Sequence, residues 1–534
     1  MIKTGKELET TMKHVFRILC LLLILSMMSL VLIACGDEGP NTSNDSADTA
    51  NSSNPASGNN AESGTGDPSE EVGFRLEKQN FNGTTIKFLT DKASDYYQWE
   101  VSPSELAEGD RVNNAFYNRA RLIEQEYGLE LVQEYAESQN DVVQQARDYI
   151  TTGLDEYQVY VAGMIYLSQM VADELFLDIS SIDSNNYIDL SKPYWDQSIV
   201  RDLTVLGSTY FITGDALVTD DDATWAIFFN KDIAENYHVA DKYGVESLYD
   251  LVHEDRWTLD VMFEIMQEVK TDAGDSGMAW GPDTPDTWGL IAQCYDSYAF
   301  TVGAGQTLMR NDGTEIIITA GDQSNINAFA KVFDMLTATD FTAIAESTGR
   351  GSSDYYGDMT SMFANGKGLF MPNKIATISD PALRDANIRY GLLPMPKYDD
   401  QQENYTTTVT VYWCSAFAIP ITNSEKLDAT CYALEALAYY GMEQVTPEYY
   451  EHTLKDRRLE DTESMEMLDL IFRNRTYDMG AVFNLGNSLG FYTSRLFEGL
   501  SGQSNQHVSA LESVRSSWEM AIEDYILQAE SSRG

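Results

Sequence analysis

Residues 83–161 run through GTTIKFL (83–89), RVNNAFYNRARLIEQEYG (111–128), LELVQEY (129–135), DVVQQARDYITT (141–152) and VYV (159–161). The first segment reads as a strand. Val112, Phe116, Ala120, Ile123 and Tyr127 recur at helical spacing and stop at Gly128, a residue suited to a helix C-terminus. Leu129, Leu131, Gln133 and Tyr135 then alternate as in a strand, and Val142, Ala146, Tyr149 and Ile150 share one face of a second helix. Strand, helix, strand, helix, strand at this spacing predicts βαβ units and a mainly parallel α/β sheet. Ligands of such sheets bind at the carboxyl ends of the strands. That rule singles out Asp91 and Lys92 after the first strand, and Met164 and Tyr166 after the third. The competing reading of Asp91 and Lys92 is a pair of solvated loop charges.

Upstream, Lys13 and Arg17 precede about sixteen uncharged, mostly apolar residues from Ile18, ending in Leu32-Ile33-Ala34-Cys35-Gly36. A basic lead, an apolar run and a small-residue cleavage site make residues 1–34 an export signal, with Met12 a better start than Met1. Leu32-Ile33-Ala34-Cys35 resembles the lipobox of bacterial lipoproteins, and the resemblance implies that Cys35 is lipidated and begins the mature chain. A single spanning anchor is the alternative, since the run is barely shorter than a bilayer requires. Residues 35–73 are built, after Cys35, almost wholly from Gly, Asn, Ser, Asp, Glu, Thr, Ala and Pro. Too apolar-poor to offset ordering entropy, they read as a disordered tether with a reach of roughly 30 Å. The folded body is then 74–534, too long for one core and expected to form two lobes.

The 534 residues carry a formal net charge of −49, and loss of residues 1–34 would leave −51. Such a surface repels phosphate backbones, which excludes nucleic acid as a partner. Beyond Cys20 and Cys35 only Cys294, Cys414 and Cys431 remain, too few and too far apart for a disulfide framework or a CxxC metal site; they read as buried apolar residues.

A second informative stretch is TYFITGDALVTDDDATWAIFFNK, Thr209 to Lys231. It reads as a strand-like start, an acidic turn at Asp220-Asp221-Asp222 and a strand through Trp225 to Phe229. With Thr287 to Ala292, the Asn311-Asp312-Gly313 turn, Phe363 to Met371, Ile388 to Pro396 and Trp413 to Pro420, it resembles, in order over most of residues 80–440, the family 1 extracellular solute-binding proteins. These are the sugar-capturing receptors of ABC importers. The resemblance implies a two-lobe, type II periplasmic-binding-protein fold with a hinged interlobe cleft. Each lobe is discontinuous: lobe one about 80–215 and 391–440, lobe two about 216–390 and 441–534. It further implies a monomer on the outer face of the cell membrane that passes a mono- or oligosaccharide to permease subunits, with no cofactor or metal.

The family's cleft falls at Trp225, Trp413 and Tyr166, with Asp91, Lys92, Asp215, Thr224 and Asn373 as polar rim and Trp288 nearby. Aromatic platforms suit the C–H faces of sugar rings, and charged groups suit the hydroxyl edges; plain packing is the competing reading for each Trp. Asp220–Asp222 lacks the ligand alternation of a calcium loop and reads as a solvated turn. HExxH and GxxxxGK[ST] do not occur. A carbohydrate-active enzyme needs only two carboxylates, and a receptor for peptides or other solutes needs only the fold, so both remain alternatives. Tyr449-Tyr450 and the basic Lys455-Arg457-Arg458 read as a surface element.

Overall fold

A computed structural model describes residues 73–92, 101–182, 186–274, 277–451 and 462–531. The export signal, Cys35, the tether as far as residue 72 and Lys455-Arg457-Arg458 lie outside these residues.

The described strands are β1 (Thr84–Asp91), β2 (Leu129–Ala136), β3 (Val159–Gly163), β4 (Trp225–Asn230), β5 (Trp288–Ala292), β6 (Met309–Asn311), β7 (Ile316–Ile318), β8 (Thr342–Ile344), β9 (Gly368–Lys374), β10 (Tyr390–Leu393) and β11 (Ser415–Ala418). One sheet has the order β11-β3-β1-β2, with β1 parallel to both β2 and β3 and β11 antiparallel. A second has the order β10-β4-β9-β5-β8, in which β4 runs antiparallel to β9 and β10. β5 runs parallel to β8 and β9. The hairpin expected at Asn311-Asp312-Gly313 is β6–β7. The βαβ reading of residues 83–161 therefore holds, and its helices end where their residues dictate. Asp110 caps Arg111–Tyr127 by accepting from Asn113 N, and Gly128 closes it at φ 63°, its N–H donating to Glu124. Ser138 caps Gln139–Thr151 from the side chain.

The expected lobe boundary at residue 391 falls inside β10, so the chain leaves the second sheet after Leu393. Three segments connect the sheets and lie side by side. Residues 219–225 lead into β4, and residues 405–414 lead back to β11; Thr224 bridges Val409, with Trp225 N donating to Thr408 O at 2.9 Å. The third passes Arg475, where Thr407 and Arg475 form a parallel bridge. Beyond it, helix Met479–Phe483 packs on helix Met164–Val171 of the first sheet.

Each sheet buries its own core. Phe228, Leu290, Phe370 and Leu392 lie in that of the second, and Ile86, Phe88, Val161 and Phe417 in that of the first. Cys294, Cys414 and Cys431 are buried free thiols, as expected. The first sheet's helix Leu427–Tyr440 carries a fully buried carboxylate, Glu435, that helices rarely tolerate without partners. Here it accepts from Arg75 Nε (2.7 Å), Tyr194 OH (2.6 Å), Trp195 Nε1 (3.0 Å) and the Asp189 amide (3.2 Å). The N-terminal segment is thereby fastened to the last helix of the lobe, with Phe74 among the rings of Tyr127, Tyr432, Tyr439 and Tyr440. Glu435→Ala strands four donors and is expected to cost about 3–5 kcal/mol in denaturant unfolding; a loss under about 1 kcal/mol would show that solvent reaches those donors.

Candidate functional site

The two sheets turn strand ends of matching sense toward the crossing segments. β1 ends at Asp91 and β3 at Gly163; β9 ends at Lys374, opposite Trp225 at the start of β4. The turn 410–414 lies between them. Its carbonyls at Val411 and Cys414 accept from Ile165 N and Met164 N, and its Tyr412 carbonyl accepts from Gln139 Nε2 at 3.0 Å. Gln139 Oε1 in turn accepts from Gly163 N. A Cβ at Gly163 would collide with the Tyr412 carbonyl and Gln139, so glycine is what lets the crossing lie this close to β3.

That turn exposes two adjacent aromatic rings, Tyr412 (39% exposed) and Trp413 (37%). Tyr412 meets the ring of Tyr166 edge-on at 6.3 Å, on the first sheet's side. Trp413 meets Lys374, whose Nζ lies 5.3 Å from the indole centroid, on the second sheet's side. Burial pushes Lys374 down to about 8 against the opposing pull of Asp380 and Asp222. Burial likewise pushes up Asp91, and both burial and the Asp91 carboxylate push up the Tyr166 hydroxyl. Side by side, the groups form a row: Asp91, Tyr166, Tyr412, Trp413, Lys374. Tyr295 flanks it, donating to the Val409 carbonyl at 3.2 Å, and Glu346 follows β8, accepting from Cys294 N at 2.9 Å and Tyr356 OH at 3.0 Å.

Of the residues expected from sequence, the structure thus brings Asp91, Tyr166 and Trp413 together. Lys92 is exposed and paired with Glu137. Asn373 is buried, its side chain turned to the Lys374 amide. Thr224 is fully buried and bonded to the Asp220 carbonyl at 2.6 Å. Trp225 is 3% exposed, its indole N–H on Asp296 at 2.8 Å and its ring 5.1 Å from Tyr295. Trp288 is 1% exposed and donates to the Ala279 carbonyl. These two tryptophans are walls of the second core. Asp215 lies behind the crossings, accepting from the Thr446 hydroxyl. Sequence reading missed Lys374 and Tyr412, each one residue from a residue it named.

The acidic turn is a correction. Residues 219–223 form a short helix whose carboxylates point inward rather than into solvent. Arg475 reaches Asp196 (2.8 Å), Asp220 (2.5 Å) and Asp221 (2.5 Å), and Asp222 accepts from Tyr449 OH at 2.7 Å. The physical reason is a counter-charge supplied by the third crossing, which lets acids leave water. Tyr449, expected at the surface, is fully buried on this account. A cavity of 260 Å³ lined by Trp195, Asp215, Arg473 and these charges opens beside the cluster. Among the described residues no group of three or more His, Cys, Asp or Glu is placed to hold a metal ion, and no helix is long and apolar enough to cross a membrane.

The chain resembles solved structures over nearly their whole length. A cyclo/maltodextrin-binding protein complexed with maltotetraose matches with TM-score 0.55 and 13% identity, over 84% of this chain and 99% of that one. UgpB from Mycobacterium tuberculosis, in complex with glycerophosphocholine, gives 0.53 and 14%, over 83% and 100%. An ABC substrate-binding protein from Listeria monocytogenes, in complex with cycloalternan, gives 0.51 and 14%, over 83% and 98%. The fold is that of the two-lobe type II periplasmic binding proteins. No family model matches the chain, and no curated protein matches it. In that fold the row from Asp91 to Lys374 occupies the junction of the lobes, at the carboxyl ends of β1, β3 and β9.

Burial pushes Asp220 and Asp221 up, despite the pull of Arg475. A carboxyl with its folded pKa above the unfolded value of about 3.9 favours the native state only while protonated. The contribution is present below about pH 4 and falls away as pH rises through the raised folded value. Asp220→Asn should flatten that fall in a calorimetric melting profile; profiles that stay parallel would remove Asp220 as its source.

Proposed function

We propose that the protein is a receptor of the family 1 solute-binding type, held by a lipid on Cys35 to the outer face of a bacterial membrane. It captures a mono- or oligosaccharide by closing two lobes and passes it to an ABC permease. The observation that carries this reading is the Tyr412–Trp413 pair, exposed on a crossing segment between Asp91 and Tyr166 of one sheet and Lys374 of the other. Rings stack on sugar faces while the flanking charges take hydroxyls. A ligand touching both sides favours the closed state by its greater affinity for it. The role requires no covalent step, cofactor or metal. The neighbours complexed with maltotetraose and cycloalternan support the ligand class. The neighbour complexed with glycerophosphocholine keeps a second reading open, a non-sugar solute in the same cleft.

A thermal-shift screen of residues 73–534 against sugars, oligosaccharides, amino acids, short peptides and glycerophosphodiesters tests both, with each mixture assayed for product. Ligand at about 100 times its Kd stabilises by about 2.7 kcal/mol, a shift of a few degrees. A shift from intact sugar supports the receptor; cleavage would make it an enzyme, and a shift only from a phosphodiester would install the second reading. Trp413→Ala should then weaken binding by about 1–3 kcal/mol with an unchanged melting temperature. Trp225→Ala should instead destabilise the body by about 3–5 kcal/mol. An unchanged affinity in Trp413→Ala removes that ring from the site.

A further inference from the structure

The row of site groups has a direction, and the direction narrows the ligand. At one end Asp91 sits half-buried against Tyr166. Among the described residues no cation pairs with its carboxylate, and the adjacent Lys92 is engaged by Glu137. At the other end the ammonium of Lys374 lies over Trp413. Between them stand the rings of Tyr166 and Tyr412.

Resting on the carbohydrate reading above, we propose that the Asp91 end receives a protonated amine, so that the solute is an amine-bearing sugar rather than a neutral or carboxylated one. A half-buried carboxylate without a cation is the group whose desolvation a ligand has most to relieve. A hydroxyl offers it one neutral donor, whereas an ammonium offers a charge-assisted bond about twice as strong. Tyr166, whose hydroxyl feels the Asp91 carboxylate, adds an aromatic ring beside it, and aromatic rings attract cations. The whole chain adds to this preference. A net charge of −49 draws cations toward the site and repels uronates. Lys374 stands over the last platform, at the opposite end of the row.

The test is calorimetric titration of residues 73–534 at about neutral pH, at low and high salt. The probes are glucosamine and the β1,4-linked glucosamine disaccharide against glucose, cellobiose and the N-acetylated disaccharide. The amines are expected to bind about tenfold tighter or more than their uncharged partners, with the margin shrinking at high salt. Asp91→Asn should abolish that margin by weakening the amines about tenfold more than the uncharged sugars, and Asp91→Glu should restore most of it; circular dichroism and melting temperature report that each variant is folded. Equal affinity for amine and neutral forms, or an equal loss for both in Asp91→Asn, overturns the amine preference and leaves the receptor standing. Silence from every sugar, charged or not, overturns the carbohydrate reading together with this one.

Discussion

Arg475 is the group on which the arrangement of the two sheets depends. It rises from the third crossing segment into three carboxylates, one from the loop after Tyr194 and two from the first crossing. A buried ion group of this kind is weak as a source of stability and strong as a source of register, because only one packing satisfies every charge. Three crossings that would otherwise be independent linkers are thereby joined at one end. The Thr224–Val409 and Thr407–Arg475 bridges continue that joint in backbone hydrogen bonds. Hinge motion between the sheets has to bend around this knot rather than through it.

The site follows from the same joint. Because residues 405–414 are held against both sheets, the turn carrying Tyr412 and Trp413 is presented by backbone bonds from Met164 and Ile165, just after β3, and by Gln139, not by its own side chains. Two exposed rings can then stay exposed. They lie where charged groups from different sheets converge, which is the geometry a molecule needs if binding is to favour one hinge angle.

What the sequence disclosed followed physical range. Periodicity is local, so the helices ending at Tyr127 and Thr151, the three first strands and the hairpin at Asn311-Asp312-Gly313 were all legible. So was the fold, from the order of strand and turn signals. Side-chain facing was less so. At the end of β9 alternate residues face opposite ways, so Asn373 turns inward while Lys374 reaches Trp413. Trp225 has the composition of a platform but belongs to β4, which has neighbours on both edges and every residue buried. Long-range charge was least legible. Nothing near Asp221 announces that its partner stands 254 residues further on.

The three buried thiols carry a consequence for where such a protein can work. Burial pushes Cys294 and Cys414 upward, away from the thiolate that reacts, and none of the three is cross-linked. Folding therefore needs no oxidising catalyst for them, and the native state gives ambient reductants nothing to break among the described residues. Among those residues the fold stands on packing and charge alone, and it will hold equally well in aerated and in anoxic surroundings.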